Sequence, residues 1–114
     1  MSHRDWRILI DDILEAIAKI QAYAQDMSQD DFAEDQRTID AVVRNFIVIG
    51  EASGSMPPEV AELHHDIPWR LMRDMRNFAV HHYWGVDAQI LWKTIREDLP
   101  QLVPQLQAAR LAVD

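Results

Sequence analysis

The stretch WRILIDDILEAIAKIQAYA, residues 6–24, decides the fold class of this chain. Its apolar residues recur at steps of three and four, and this period places them along one side of an α-helix. Acidic residues such as Asp12 and Glu15 occupy the other side. The stretch therefore predicts an amphipathic helix that buries one face in a core. Its apolar positions are Trp6, Leu9, Ile10, Ile13, Ile17, Ile20 and Ala24.

The same periodicity continues after a polar break and predicts a second helix from near Asp31 to about Ser53, which Gly54 ends. Pro57 and Pro58 cannot continue a helix, so residues 54–58 form a connector, and a short helical turn follows at residues 59–64. Residues 50–55 contain two glycines, Gly50 and Gly54, but lack the strand and the Lys-Ser/Thr context of a phosphate-binding loop, so this segment is interpreted as a helix end.

Proline and glycine also divide the second half of the chain. Pro68 opens a third helix, which Gly85 ends, and Asp87 can cap a fourth. Pro100 and Pro104 are expected to divide a final helical segment. No part of the sequence alternates with period two, as a strand would. The sequence therefore predicts one domain over residues 1–114, an all-α bundle of four to five helices that could complete its core by dimerising.

Composition narrows the class of protein. The chain has 114 residues, a formal net charge of −8 and no cysteine. No apolar run approaches the roughly 18 residues of a membrane span, and the first residues show no apolar signal core. We therefore expect a soluble, cytoplasmic protein. The negative charge argues against stable DNA binding, although residues 64–83 hold three arginines and four histidines and form a local basic segment suited to a transient nucleic-acid substrate.

Candidate chemistry is concentrated in residues 76–83 of the third helix. Asn77 and His81 are four residues apart and share a helix face, while Arg76 and Tyr83 share a neighbouring one. An arginine can hold a phosphate through two hydrogen bonds, and a histidine titrates near neutral pH and can transfer its proton. Arginine and histidine on a helix are also common surface and capping residues, and spacing alone leaves both interpretations open.

Three other features have alternative interpretations. The histidine pairs at 64–65 and 81–82 invite a metal site, but adjacent helical residues diverge and no carboxylate triad completes a set, so we expect neither metal nor cofactor. Arg44 and Glu51 are seven residues apart on one face of the second helix. This spacing predicts a structural salt bridge or polar network near the cleft of the candidate site. Alternatively, these side chains orient Arg76 or a partner.

The segment Arg76-Asn77-x-x-x-His81-x-Tyr83 is similar to the Arg-x4-His-x-Tyr motif of the HepT-like branch of the HEPN superfamily. The resemblance extends to residues 41–52, which end in the Gly-Glu-Ala of the family's second helix. It also includes Ile67-Pro68-Trp69 before the motif, and Val86-Asp87 with Leu91-Trp92 after it. These segments occur in the family's order and cover roughly residues 11–102.

The resemblance implies a HEPN-type bundle that dimerises so that the motifs of two subunits meet in a cleft. It implies a metal-independent endoribonuclease toxin of a type VII-like HEPN/MNT toxin–antitoxin system, with Arg76 and His81 catalytic and Asn77 supporting. His82 adds a second imidazole that could share the proton transfer. The expected partners are RNA and a minimal nucleotidyltransferase antitoxin that silences the enzyme by AMPylation of Tyr83. The alternatives are a non-catalytic module that is mainly a partner or substrate of the nucleotidyltransferase, and a nucleotide-sensing scaffold.

Overall fold

The computed structural model of the chain describes residues 5–82 and 88–112, and the side chains of all of these except residues 78–82. Within these ranges the chain is helical and contains no strand, which confirms the predicted all-α bundle. Four α-helices are long and form the bundle, and three short ones connect them. The helices are α1 (Trp6–Ala24), α2 (Gln29–Glu34), α3 (Gln36–Gly54), α4 (Pro58–Leu63), α5 (Trp69–His82), α6 (Ala88–Lys93) and α7 (Leu99–Leu111), with a π-helical turn at Thr94–Asp98.

Helix α3 lies between α1 and α5 and packs against both. Val42, Phe46 and Ile49 follow one another at steps of four and three along α3, and all three are fully buried. Burying a large aliphatic or aromatic side chain contributes about 1.5–3 kcal/mol, so these helix faces supply the main driving force for the bundle. The face of α1 that the sequence predicted is buried as expected, and its fully buried residues are Ile10, Ile13, Ile17 and Ile20.

The predicted second helix is interrupted at Asp35, so its expected start near Asp31 is wrong. A short helix, α2, begins with a capping box in which the Ser28 hydroxyl accepts from the Asp31 N–H at 3.0 Å and the Asp31 carboxylate accepts from the Ser28 N–H. Asp35 then leaves the helical conformation, with φ −106° and ψ 87°, and its carboxylate accepts from the Thr38 N–H at 3.0 Å. This hydrogen bond lowers the pKa of Asp35 below its ordinary value. The cap therefore starts a new helix, α3, at Gln36.

Pro104 does not divide the final helix, contrary to the expectation from the sequence. Helix α7 continues through it, and Pro100 lies in the first turn of α7. The π-helical turn precedes Pro100, and in it the Leu99 N–H donates to the Thr94 carbonyl five residues back. A proline ring clashes with the carbonyl four residues before it, and a wider turn is one way in which a helix accommodates that clash.

The ends of the other predicted elements agree with the sequence where the structure describes them. Helix α3 ends at Gly54, and the predicted short turn is α4, which begins at Pro58. The carbonyl of Pro68 accepts from the Met72 N–H and so opens α5. The expected end of the third helix at Gly85 and the cap at Asp87 lie outside the described residues. No helix in the described ranges has the length and apolar content needed to cross a bilayer.

Two arginines bind backbone carbonyls at helix ends. Arg7 on α1 donates to the carbonyls of Arg110 and Ala112, at 3.3 and 2.9 Å, and so holds the last turn of α7 against the start of α1. Arg96 donates to the carbonyls of Ala24 and Met27, both at 3.0 Å, at the end of α1. The Arg7 bonds thus tie the end of α7 to the start of α1, and the Arg96 bonds tie the π-helical turn to the end of α1.

Candidate active site

The motif helix α5 presents its arginines outward. Met72 and Met75 are fully buried and hold one side of α5 in the core, so the opposite side faces solvent. Arg70, Arg73 and Arg76 follow at steps of three along the exposed side, and Asn77 is exposed beside them. The local basic segment predicted from the sequence is therefore a continuous cationic surface on one helix.

Helices α3 and α5 approach each other closely where Gly50 faces Arg76. A Cβ atom placed on Gly50 would lie 2.7 Å from the Cβ of Arg76, 2.9 Å from its backbone nitrogen and 3.1 Å from the carbonyl oxygen of Arg73. Because two of these three atoms belong to the backbone, a small side-chain movement could not make room. The crossing of α3 and α5 thus requires the absence of a side chain at position 50.

This crossing brings the neighbouring Glu51 to the motif arginine. The Glu51 Oε1 accepts from the Nη1 of Arg76 at 2.8 Å in a salt bridge. The two side chains are 58% and 54% exposed, so the pair lies at the surface and remains accessible to a ligand. A guanidinium has five N–H donors, and the contact with Glu51 engages one of its three nitrogens.

Arg44 does not bind Glu51, so the predicted salt bridge between these two residues is wrong. Glu51 pairs across the helix crossing with Arg76, which agrees with the alternative prediction that it orients that arginine. Arg44 and Glu51 are about 10.5 Å apart along the axis of α3, and no ion pair joins them in the described part of the chain. Arg44 instead lines a cavity between α1 and α3.

The other motif residues are positioned only through the backbone of α5. His81 and His82 form the last residues of α5, and their side chains lie outside the described ones. His81 follows Asn77 by four residues within α5, about one helical turn. Tyr83 lies outside the described residues.

His64 and His65 lie between α4 and α5, before the motif helix begins. The ring of His64 packs against Trp6 with a centroid separation of 6.0 Å, and its carbonyl accepts from the indole nitrogen of Trp69 at 3.1 Å. His65, next to it, is exposed. Across residues 5–77 and 88–112, no three histidine or carboxylate side chains converge as metal ligands would.

The sequence contains a signal for the helix crossing that the prediction of a helix end at residues 50–55 did not use. Gly50 lies inside α3, which ends at Gly54. A glycine inside an amphipathic helix costs stability relative to alanine and therefore indicates close packing or a functional constraint. The partner of that packing, Arg76, lies 26 residues further along the chain and could not be inferred from helical periodicity.

The fold and the motif helix define a class of small all-α domains that carry an Arg-x4-His motif. Within this class the chain belongs to the "Ribonuclease HepT-like" family, whose model matches residues 13–109. The resemblance noted in the sequence is confirmed by this match.

Curated relatives cover nearly the whole chain. A "Probable ribonuclease HepT" of Thermococcus cleftensis is 41% identical over 109 residues, which are 96% of this chain and 96% of the relative. A "Putative RNase TTE0752" of Caldanaerobacter subterraneus subsp. tengcongensis is 33% identical over 101 residues, 89% of this chain and 90% of the relative. A "Putative RNase MJ1380" of Methanocaldococcus jannaschii is 32% identical over 107 residues, 94% of this chain and 98% of the relative. No solved structure gives a significant match.

Proposed function

We propose that this protein is a metal-independent endoribonuclease that acts as the toxin of a HEPN/MNT toxin–antitoxin pair. The observation that carries the proposal is the guanidinium of Arg76, which is exposed on the motif helix and held at one nitrogen by Glu51. Membership of a ribonuclease family supports RNA as the substrate. The cationic side of α5 gives that substrate a place to bind on an otherwise acidic protein.

In this mechanism Arg76 binds the scissile phosphate. A guanidinium can donate two parallel hydrogen bonds to phosphate oxygens, and its charge stabilises the negative charge that grows on them in the transition state. The salt bridge with Glu51 restricts the arginine before the substrate arrives, which reduces the ordering required in the reaction. Asn77, exposed beside Arg76, supports the phosphate with its amide.

His81 supplies the proton transfer. It removes the proton of a ribose 2′-hydroxyl, whose oxygen then attacks the adjacent phosphorus while the bond from phosphorus to the 5′-oxygen breaks. The leaving 5′-oxygen takes a proton from a protonated imidazole. The products are a 2′,3′-cyclic phosphate on one fragment and a 5′-hydroxyl on the other, so no water and no metal ion takes part in this step. His82 is the other imidazole that could fill either role.

Two imidazoles in opposite protonation states serve this reaction better than one. A two-fold dimer that brings two α5 helices together would provide His81 from each subunit, one as base and one as acid. Such a dimer would also place two Arg76 groups at one cleft and form a site with a charge suited to RNA.

Control of the enzyme is assigned to Tyr83. A minimal nucleotidyltransferase antitoxin would transfer AMP to its phenolic oxygen, with release of pyrophosphate from ATP. The added phosphate is anionic and would occupy the place of the substrate phosphate near Arg76. Silencing would then result from both steric exclusion and neutralisation of the arginine.

The direct test is cleavage of RNA by the purified protein in the presence of EDTA, next to Arg76→Ala and His81→Ala. We expect cleavage by the wild-type chain and loss of about 100-fold or more in each variant. A His82→Ala variant assigns the proton transfer, since only the histidine that performs it is required. Equal activity of wild-type and both primary variants would exclude the mechanism.

The second candidate is a non-catalytic module that serves mainly as the substrate of the nucleotidyltransferase. The net charge of −8 favours it, because the charge opposes RNA binding outside the α5 surface. Mass spectrometry of the protein co-produced with such an enzyme should then show AMP on Tyr83, while the unmodified protein has no nuclease activity. A nuclease that His81→Ala inactivates would exclude this candidate.

A further inference from the structure

A second group of cations lies between α1 and α3. It lines a cavity of about 200 Å³ between α1 and α3. Two of its side chains, Lys19 and Arg44, are basic, which is notable on a chain with a net charge of −8. The residues around this cavity, here called the Lys19–Arg44 pocket, are Lys19, Tyr23, Ala41, Arg44, Asn45 and Val48.

The chemistry of the pocket matches a nucleotide. Lys19 and Arg44 carry the charge that binds phosphate, and Tyr23 is 44% exposed, which leaves an aromatic face available for a base. Asn45 is buried, and its side-chain nitrogen donates to the Ala41 carbonyl at 2.9 Å. This hydrogen bond fixes the orientation of the Asn45 amide. The other polar atom of the amide is its oxygen, which is a hydrogen-bond acceptor. Cation, aromatic ring and fixed amide are the groups that proteins use to bind single-stranded nucleic acid.

The pocket adjoins a cavity that Glu51 lines. Val48 lines both the Lys19–Arg44 pocket and this neighbouring cavity of about 280 Å³, which Ile47 and Glu51 also line. Arg44, Val48 and Glu51 follow at steps of four and three along one stripe of α3. At 1.5 Å per residue, the seven residues from Arg44 to Glu51 span about 10.5 Å. The pocket therefore lies within reach of the RNA strand whose scissile phosphate would be bound at the Glu51–Arg76 pair.

We propose that the Lys19–Arg44 pocket is a subsite for the RNA strand, which binds a phosphate other than the scissile one and stacks a base on Tyr23. This assignment rests on the proposed nuclease function and extends it to substrate length. Lys19 lies 3.2 Å from Glu15 at an exposed position, so binding of the strand exchanges this carboxylate for a phosphate. The subsite makes a longer strand a better substrate than one that reaches only Arg76.

The first test measures binding of a 2′-O-methyl octanucleotide, which lacks the attacking hydroxyl and cannot be cleaved. Arg44→Ala and Lys19→Met should each weaken binding several-fold and should each reduce the slope of log K against log salt concentration by about 0.7, the loss of one phosphate contact. Arg37→Ala is the matched control, because Arg37 is exposed on the same helix but does not line the pocket. If Arg44→Ala leaves the slope unchanged, or if Arg37→Ala lowers it equally, the subsite proposal is wrong.

Base stacking has its own pair of variants. Tyr23→Phe keeps the ring and should bind the octanucleotide as the wild-type chain does, whereas Tyr23→Ala should bind it about tenfold more weakly. Equal affinity of Tyr23→Ala and Tyr23→Phe would remove Tyr23 from the subsite.

The second test uses substrate length to separate this proposal from the nuclease proposal. A dinucleoside monophosphate has one phosphate, which Arg76 binds, so Arg44→Ala should cleave it at the wild-type rate. The same variant should lose several-fold in kcat/KM on an octaribonucleotide. If the wild-type chain cleaves both substrates and Arg44→Ala changes neither rate, the subsite proposal is wrong and the nuclease proposal stands.

If the wild-type chain cleaves neither substrate, the nuclease proposal fails, and octanucleotide binding still decides the subsite. Unchanged RNA binding together with a lost complex with the nucleotidyltransferase would assign the pocket to the protein partner and overturn the RNA subsite.

Discussion

Gly50 faces Arg76 so closely that a single added carbon at position 50 would lie 2.7 Å from the Cβ of Arg76 and 2.9 Å from its backbone nitrogen. This close approach is also the attachment point of the proposed phosphate-binding residue. Movement of α3 relative to α5 changes the position of that side chain directly.

Gly50→Ala should destabilise the protein by about 1–3 kcal/mol, because the new methyl group forces α3 and α5 apart. It should also lower cleavage more than stability loss explains, since Arg76 moves with α5. Urea denaturation and cleavage at a temperature where both proteins are folded measure the two effects.

Gly54→Ala is the matched control for this substitution. A Cβ at position 54 would lie 3.7 Å from the side chain of Arg73, an ordinary contact, and alanine favours the helix. Stability should be unchanged or raised by up to about 1 kcal/mol. Equal destabilisation by both substitutions would contradict the close approach at Gly50.

Glu51→Ala should leave stability within about 1 kcal/mol of wild type, because its salt bridge with Arg76 is more than half exposed. It should reduce RNA cleavage about tenfold, since the guanidinium loses the group that orients it. Glu51→Gln keeps a hydrogen-bond acceptor and should retain an intermediate activity, which separates orientation from a general structural effect.

Glu59→Ala removes the same charge from an exposed position on α4 and controls for the change in net charge. If Glu51→Ala cleaves RNA as well as or better than wild type, Glu51 does not position the arginine productively.

Arg76→Lys should reduce kcat/KM by about tenfold or more although the positive charge remains. Lysine lacks the planar fork that binds two phosphate oxygens together, and it cannot reproduce the geometry of the pair with Glu51. Stability should change by less than about 0.5 kcal/mol because the side chain is largely exposed. Arg70→Lys, on the same exposed side of α5, should cleave RNA nearly as wild type does; equal losses in both variants would indicate a general charge effect.

Asp35 should make stability depend on pH. Its pKa lies below the ordinary 3.8, chiefly because the backbone N–H of Thr38 donates to its carboxylate. The stabilisation is therefore fully present above pH 3.8 and is lost as the pH falls through the lower, folded-state pKa. Asp35→Asn keeps an acceptor but does not titrate, so the difference in urea midpoint between wild type and variant should shrink from pH 7 towards pH 2.

The same scan with Asp30→Asn, which removes a charge from the first turn of α2, corrects for net charge. A difference between wild type and Asp35→Asn that stays constant over the whole range would contradict the role assigned to the cap.

The sequence predicted those parts of the fold that depend on local periodicity. The buried faces of α1 and α3 followed from apolar steps of three and four. The break after Gly54 followed from proline chemistry, although Pro58, which was assigned to the connector, is the first residue of α4. The break at Asp35 was missed because an apolar stripe continues across it, with Phe32 before and Ile39 after. Only the hydrogen bond from Thr38 makes Asp35 a cap.

The candidate site was predictable in its residues but not in its contacts. Arg76 and Asn77 were named from the motif, and both are exposed on α5. The partner of Glu51 depends on how α3 crosses α5, which is a tertiary property. Helical spacing therefore paired Glu51 with Arg44 on its own helix.

The salt bridge between Glu51 and Arg76 joins two residues of one chain, and this has a kinetic consequence. Its formation is a first-order event that accompanies folding and is independent of protein concentration. Any contribution from a second subunit instead requires two chains to associate, which is a second-order process. On dilution, every chain should therefore keep its ordered arginine, while any activity that requires two subunits is lost. The contribution of the salt bridge and that of the second subunit can thus be separated by varying protein concentration alone.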